Sequence, residues 1–265
     1  MVRKGVYFSA LITPSLGGWV SAGNYIPAPP PPSMPAVLEA RELWKIYDTG
    51  MNRVEALRKV SVSLSAGEMV AVMGPSGCGK TTLLNCLSGL DDITSGEVFI
   101  DGVGLSNMSD FELTQTRGER LGFIFQAFNL LPVLTAVENV ELPLLLAGKA
   151  PKEARLAALD ALEAVGLGDR AGHLPAELSG GQQQRVTIAR SFVHNPAVIL
   201  ADEATGNLDT KTSDEVLDLL LKLNKERGVT MVLVTHDADV AARCSRILVM
   251  RDGRITEDRR SGEEE

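Results

Sequence analysis

The chain has 265 residues, 45% hydrophobic and 23% charged, with a formal net charge of −8. That length accommodates one large domain or two small ones with a buried core, and the acidic balance argues against a broad nucleic-acid-binding face. Three cysteines (Cys78, Cys86, Cys244) without a C-x-x-C pair suit free thiols in a reducing cytosol, not a disulfide framework or a zinc site, and no apolar run reaches the roughly 18 residues that span a bilayer.

Residues 1–35 differ in character from the rest. Arg3-Lys4 and the apolar run 6–12 resemble the start of a secretory signal, but the run is short and is broken by Pro14 and Gly17-Gly18. Pro27-Ala28-Pro29-Pro30-Pro31-Pro32 favours an extended polyproline conformation. The expectation is a disordered, proline-rich extension over 1–35, with Met34 an alternative start and a proline-rich docking peptide the competing reading.

A folded region is expected over residues 36–260. Residues 38–47 and 60–64 alternate like half-buried strands, and Ala66-Gly67-Glu68 turns the chain into the apolar strand 69–73. Gly74-Pro75-Ser76-Gly77-Cys78-Gly79-Lys80-Thr81 follows, then Thr82 and a helix to Leu87. This stretch fits G-x-x-x-x-G-K-[ST], a phosphate-binding loop. Its glycines let backbone N–H groups wrap a phosphate, Lys80 reaches the terminal phosphates and the Thr81 hydroxyl ligates Mg²⁺. The helix presents its positive N-terminus to the same anion.

Strands are expected at 96–102 and 121–125, and helices from about 127 to 175. There Pro151 fits a first turn, Gly166 a stop, and Leu156, Leu159, Leu162 and Val165 one apolar side. Strand signals return at 197–201, 230–234 and 246–250; between the first two, Val216, Leu219, Leu220 and Leu223 space an amphipathic helix ended by Gly228. Strands alternating with helices predict a largely parallel sheet covered on both faces, with the middle helices as a separate lobe. The tail, 261–265, is acidic and expected to be solvated.

A phosphate loop needs a second acid at the end of a neighbouring strand. The strand at 197–201 runs into Asp202, placed to hold Mg²⁺ through water, and Glu203, placed to polarise an attacking water. Ser179-Gly180-Gly181 opening a polar helix makes a second anion site from free N–H groups, a hydroxyl and a helix dipole. One nucleotide already has its loop, so two chains placed head to tail would satisfy both sites.

Leu178-Ser179-Gly180-Gly181-Gln182 is the signature of the ATP-binding subunits of ABC transporters, and the chain resembles that family over about residues 36–256. The resemblance implies an α/β P-loop NTPase with a mostly parallel central sheet, an N-terminal antiparallel β-subdomain and an inserted helical subdomain at about 127–186. It implies an ATP hydrolase of the translocase class that uses ATP and Mg²⁺. Tyr47 matches the aromatic that stacks on adenine, with Trp44 the weaker candidate. Gln126 resembles the glutamine that touches Mg²⁺ and water and senses the membrane partner, and His236 the switch histidine near the γ-phosphate. Glu203, His236, Gln126 and Lys80 would then be catalytic, residues 74–82 with Tyr47 and Gln126 would bind ATP, and Thr81, Gln126 and Asp202 would hold the metal. Ser179, Gly180, Gly181 and Gln182 would contact the ATP of a partner chain, and Asp209 would lie in the loop crossing the dimer. Ala204 departs from the family, where proline is usual, without removing a ligand.

Residues 125–132 and 204–209 resemble the lipoprotein-release, macrolide-export and antimicrobial-peptide-resistance branch. The resemblance implies two cassettes, expected to be identical copies or else two different chains, acting on a separate transmembrane permease at the cytoplasmic face of the membrane, with no nucleic acid expected. A division or cell-wall regulator of similar shape is the alternative. A soluble DNA-repair or translation ATPase is disfavoured, because residues 82–178 hold neither a coiled coil nor a zinc insertion.

Overall fold

The computed structural model describes residues 36–48, 50 and 52–260; the proline-rich stretch and the acidic tail lie outside them. In chain order the elements are β1 (Ala36–Asp48), β2 (Arg53–Ser65), β3 (Met69–Met73), α1 (Lys80–Leu87), β4 (Ser95–Ile100), β5 (Val103–Gly104), α2 (Asp110–Arg120) and β6 (Leu121–Phe125). There follow α3 (Ala136–Leu146), α4 (Pro151–Ala164), α5 (Gly180–Phe192), β7 (Val198–Asp202), α6 (Thr210–Arg227), β8 (Thr230–Val234), α7 (Ala238–Ala242), β9 (Arg246–Arg251) and β10 (Arg254–Arg260).

Two sheets form. One is antiparallel in the order β2-β1-β4-β5; the other runs β10-β9-β3-β8-β7-β6 and is parallel except for β10. The chain is thus the expected α/β fold with a mostly parallel central sheet. The central strands read as continuous apolar runs because both of their faces are covered, and the two faces separate by the period of two. Met69, Ala71, Ile199, Ala201, Met231 and Leu233 point into a core with α3 to α7. Val70, Val72, Val198, Leu200, Val232 and Val234 point into a second core with α1 and the antiparallel sheet.

Three features differ from the sequence expectation. On α4 the buried residues are Ala154, Ala158, Ala161 and Leu162, while Leu156 is 56% exposed and Leu159 also faces outward. A strict i, i+3 series turns back by about 60° at each step, so it drifts off the face that the alanines occupy. Helix α2 buries no residue and so carries no apolar stripe, but Ser109 and Glu112 form a capping box that marks its start. Strand β10 is charged and exposed, as suits a sheet edge.

Gly122 lies where β6 meets α5: a Cβ there would overlap the Ser191 carbonyl and sit 3.0 Å from Ile199 Cγ1. Gly122→Ala is expected to destabilise the fold by about 1–3 kcal/mol through overpacking, measurable as a lower urea midpoint with unchanged slope.

Candidate functional site

Parallel pairing brings four loops to one edge of the central sheet. Val72 on β3 pairs with Val234 on β8, Val234 with Asp202 on β7, and Asp202 with Phe125 on β6. The phosphate loop, His236, Glu203 and Gln126 therefore leave from the carboxyl ends of four strands at nearly the same level, where open α/β sheets bind ligands. Strand β8 separates β3 from β7, which puts the phosphate loop and Glu203 on strands about 10 Å apart.

Between β3 and α1 the chain turns through Gly74 (φ 152°), Gly77 (φ 78°) and Gly79 (φ 105°). A Cβ at Gly79 would lie 2.5 Å from the Ala56 carbonyl, and one at Gly74 would overlap the Met250 carbonyl. Gly79 caps α1 without a side-chain hydrogen bond, and the first turn carries no acidic residue. The helix thus opens on unpaired N–H groups and an uncompensated dipole, both of which favour an anion. Lys80 is 8% exposed and donates from Nζ to the Gly74 carbonyl at 2.7 Å and the Pro75 carbonyl at 3.0 Å. Two neutral acceptors hold its ammonium beside the loop.

Burial pushes the pKa of the Asp202 carboxyl up, and the Thr81 hydroxyl opposes that shift. Glu203 adopts a left-handed backbone (φ 47°), unusual for a non-glycine residue, and its N–H donates to the Val234 carbonyl at 3.1 Å. His236 Nδ1 lies 3.2 Å from Glu203 Oε1, and the imidazole is 71% exposed. Gln126 stands beside the loop that follows Glu203: its Nε2 donates to Asn207 Oδ1 at 3.3 Å, and Asn207 Nδ2 returns a bond to the Gln126 carbonyl at 2.9 Å.

A cleft of about 680 Å³ joins Tyr47, Ser76, Gly77, Lys80, Thr81 and Thr82 to Glu203 and His236. It also takes Ala56 and Arg58 of β2 and Gly253 of the β9–β10 turn, which sequence reading missed. The Gly253 N–H donates to the Cys78 carbonyl at 3.0 Å, and the Arg58 N–H to the Gly253 carbonyl at 2.7 Å. This clamp is made of backbone groups, so side-chain identity carried no signal of it.

The signature lies apart from this cleft; none of Ser179, Gly180, Gly181 and Gln182 lines it. Ser179 caps α5: its hydroxyl accepts from the Gln182 N–H at 3.3 Å, and Gln182 Oε1 accepts from the Ser179 N–H at 2.9 Å. The hydroxyl proton and the Gly180 and Gly181 N–H groups remain for a ligand. A Cβ at Gly181 would overlap the Thr212 methyl, and Thr212 in turn donates from Oγ1 to Asp209 Oδ2 at 2.6 Å. Asp209 is the N-cap of α6, and those bonds from Thr212 hold its carboxyl below the usual range.

The chain matches the ABC transporter family over residues 57–206. It is 52% identical over 229 residues to an uncharacterised ABC transporter ATP-binding protein of Thermotoga maritima, covering 86% of this chain and 97% of that one. It is 47% identical to the lipoprotein-releasing system ATP-binding protein LolD of Legionella pneumophila, covering 83% and 96%. Its fold superposes with a TM-score of 0.78 and 44% identity on the dimeric ATP-binding cassette MJ0796 in a post-hydrolysis state bound to ADP and Pi, over 86% of this chain and all of that one.

Because burial raises the pKa of Asp202, its ionised form weakens the ligand-free fold at neutral pH, and protonation relieves this as pH falls. Asp202→Asn is therefore expected to raise the melting temperature without ligand near neutral pH, the gain shrinking as pH falls into the carboxylate range. Thermal melts across pH check the sign.

Proposed function

Since this chain belongs to the ABC transporter family, we propose that it is the ATP-hydrolysing motor of an export or lipoprotein-release transporter, two copies of which act on a separate permease at the cytoplasmic face of the membrane. The observation that carries this reading is the division of labour within the chain. Glu203 and His236 share a cleft with the phosphate loop, whereas Ser179, Gly180 and Gly181 do not line it. A second copy placed head to tail would close its signature over that cleft and complete the site.

In the proposed cycle the loop N–H groups and Lys80 bind the β- and γ-phosphates of ATP, and Tyr47 takes the base. Glu203 accepts a proton from the attacking water as general base, and His236 steadies that carboxylate near the γ-phosphate. The hard oxygen donors Thr81, Asp202 and Gln126 fit Mg²⁺, which favours one or two carboxylates, water and substrate phosphates over an all-protein cage. When bound, the ion would neutralise phosphate charge. The partner's signature N–H groups would add hydrogen bonds to the γ-phosphate, so ATP holds the dimer and hydrolysis loosens it.

The apolar side chains Leu131 and Val133, the latter 81% exposed, follow Gln126 closely in sequence and offer a contact for permease helices. Among the described residues no helix is long and apolar enough to cross a membrane, so attachment through a permease is the proposed route to it. Likeness to LolD supports the lipoprotein-release branch.

Glu203→Gln is expected to bind ATP and dimerise while hydrolysis falls about 10²–10⁴-fold, read by phosphate release and size-exclusion chromatography. Hydrolysis at the wild-type rate would remove Glu203 from the role of base. Lys80→Ala is expected to lose most ATP affinity in titration calorimetry; unchanged binding would sink the phosphate-loop assignment.

A further inference from the structure

The outer end of the cleft carries an arrangement that the phosphate chemistry does not use. Tyr47 Oη donates to Asp91 Oδ2 at 2.5 Å, and Lys45 Nζ donates to Asp91 Oδ1 at 2.5 Å and to the Asp92 carbonyl at 2.6 Å. The same ammonium lies 4.7 Å from the centroid of the Tyr47 ring. Lys45 is 8% exposed and does not line the cleft, whereas Tyr47 is 39% exposed and does.

Asp91 follows α1 closely, and its N–H donates to the Asn85 carbonyl of that helix at 3.2 Å. Its carboxylate therefore ties β1, which carries Lys45 and Tyr47, to the helix whose first residue is Lys80.

We propose that Asp91, with Lys45, is a positioning residue that holds the Tyr47 ring as a preformed stacking platform for the base, at a set separation from the phosphate loop. The proposal rests on the reading of Tyr47 as the base-stacking residue. Two physical effects follow from the arrangement. A ring fixed at its hydroxyl has little freedom left to lose when the base arrives. An ammonium near the ring draws on its π-electrons, which lessens the repulsion that two stacked π-clouds otherwise meet. Neither effect acts on the triphosphate, so Asp91 should matter only to ligands that carry a base.

The test compares ATP with inorganic tripolyphosphate, titrated by calorimetry into the full chain. Tyr47→Ala is expected to weaken ATP about tenfold or more by loss of stacking. Asp91→Ala is expected to weaken it about three- to tenfold by freeing the ring. The double variant should bind ATP no more weakly than Tyr47→Ala alone, and tripolyphosphate should bind equally well to every variant. Additive losses, or a tripolyphosphate loss matching the ATP loss in Asp91→Ala, would overturn the proposal. Tyr47→Phe keeps the ring but deletes the bond from the other side. It should weaken ATP by no more than Asp91→Ala does, since Lys45 stays paired with Asp91 beside the ring, and it decides the matter if Asp91→Ala does not fold; unchanged ATP affinity in Tyr47→Phe would overturn the proposal. Unchanged ATP affinity in Tyr47→Ala would instead refute the base-stacking reading, and the proposal would fall with it.

Discussion

Everything at the site depends on the register of the parallel sheet. Hydrogen bonding sets Val72, Val234, Asp202 and Phe125 abreast across β3, β8, β7 and β6. A slip of one residue in β7 would exchange its two faces and carry Asp202 and Glu203 away from Thr81. Such a slip is opposed because alternate residues of every central strand are packed into separate cores. The chemistry is therefore positioned by hydrophobic burial on both sides of the sheet, not by contacts among the polar groups themselves.

Close backbone approach also shapes the site. Glycine stands at 74, 79 and 181 because a Cβ would strike Met250, Ala56 or Thr212. The first two contacts pin the phosphate loop to neighbouring strands. The third brings the signature against the start of α6, next to Asp209. Helix α5, which opens with the signature, also grips the other functional loops. Gln184 Nε2 donates to the Ala204 carbonyl at 2.6 Å, Thr187 Oγ1 to the Phe128 carbonyl at 3.2 Å, and Arg190 to the Phe128 and Asn129 carbonyls at 3.0 and 2.7 Å. Phe128 and Asn129 sit in left-handed conformations (φ 59° and 51°) that these bonds help hold. One helix is thus bonded to the loop after Gln126 and to the loop after Glu203. The alanine at 204 keeps its part in this network, since the bond uses a carbonyl that any residue supplies.

Local apolar patterning marks the central strands. Strands 69–73, 121–125 and 230–234 coincide with β3, β6 and β8 because their short apolar runs are mostly buried. Where burial is partial or shared, the pattern is weaker. Three alanines with Leu162 form the buried stripe of α4, since small side chains let α3 and α5 approach. The start of α2 was marked only by Ser109 and Glu112, and β10 has the composition of a solvated edge.

The phosphate loop, the acidic pair after β7 and the serine–glycine helix start were each legible by themselves, because a few adjacent residues contain all of their chemistry. Which of them share a cleft was a matter for the tertiary structure. Glu203 meets His236 and Tyr47 meets Asp91 across separations of 33 and 44 residues in the chain. Those meetings follow from strand order, above all from the insertion of β8 between β3 and β7. Hydrophobic periodicity reports which face of a strand is buried, but it does not report which strand lies next to which, and only the folded sheet decides that.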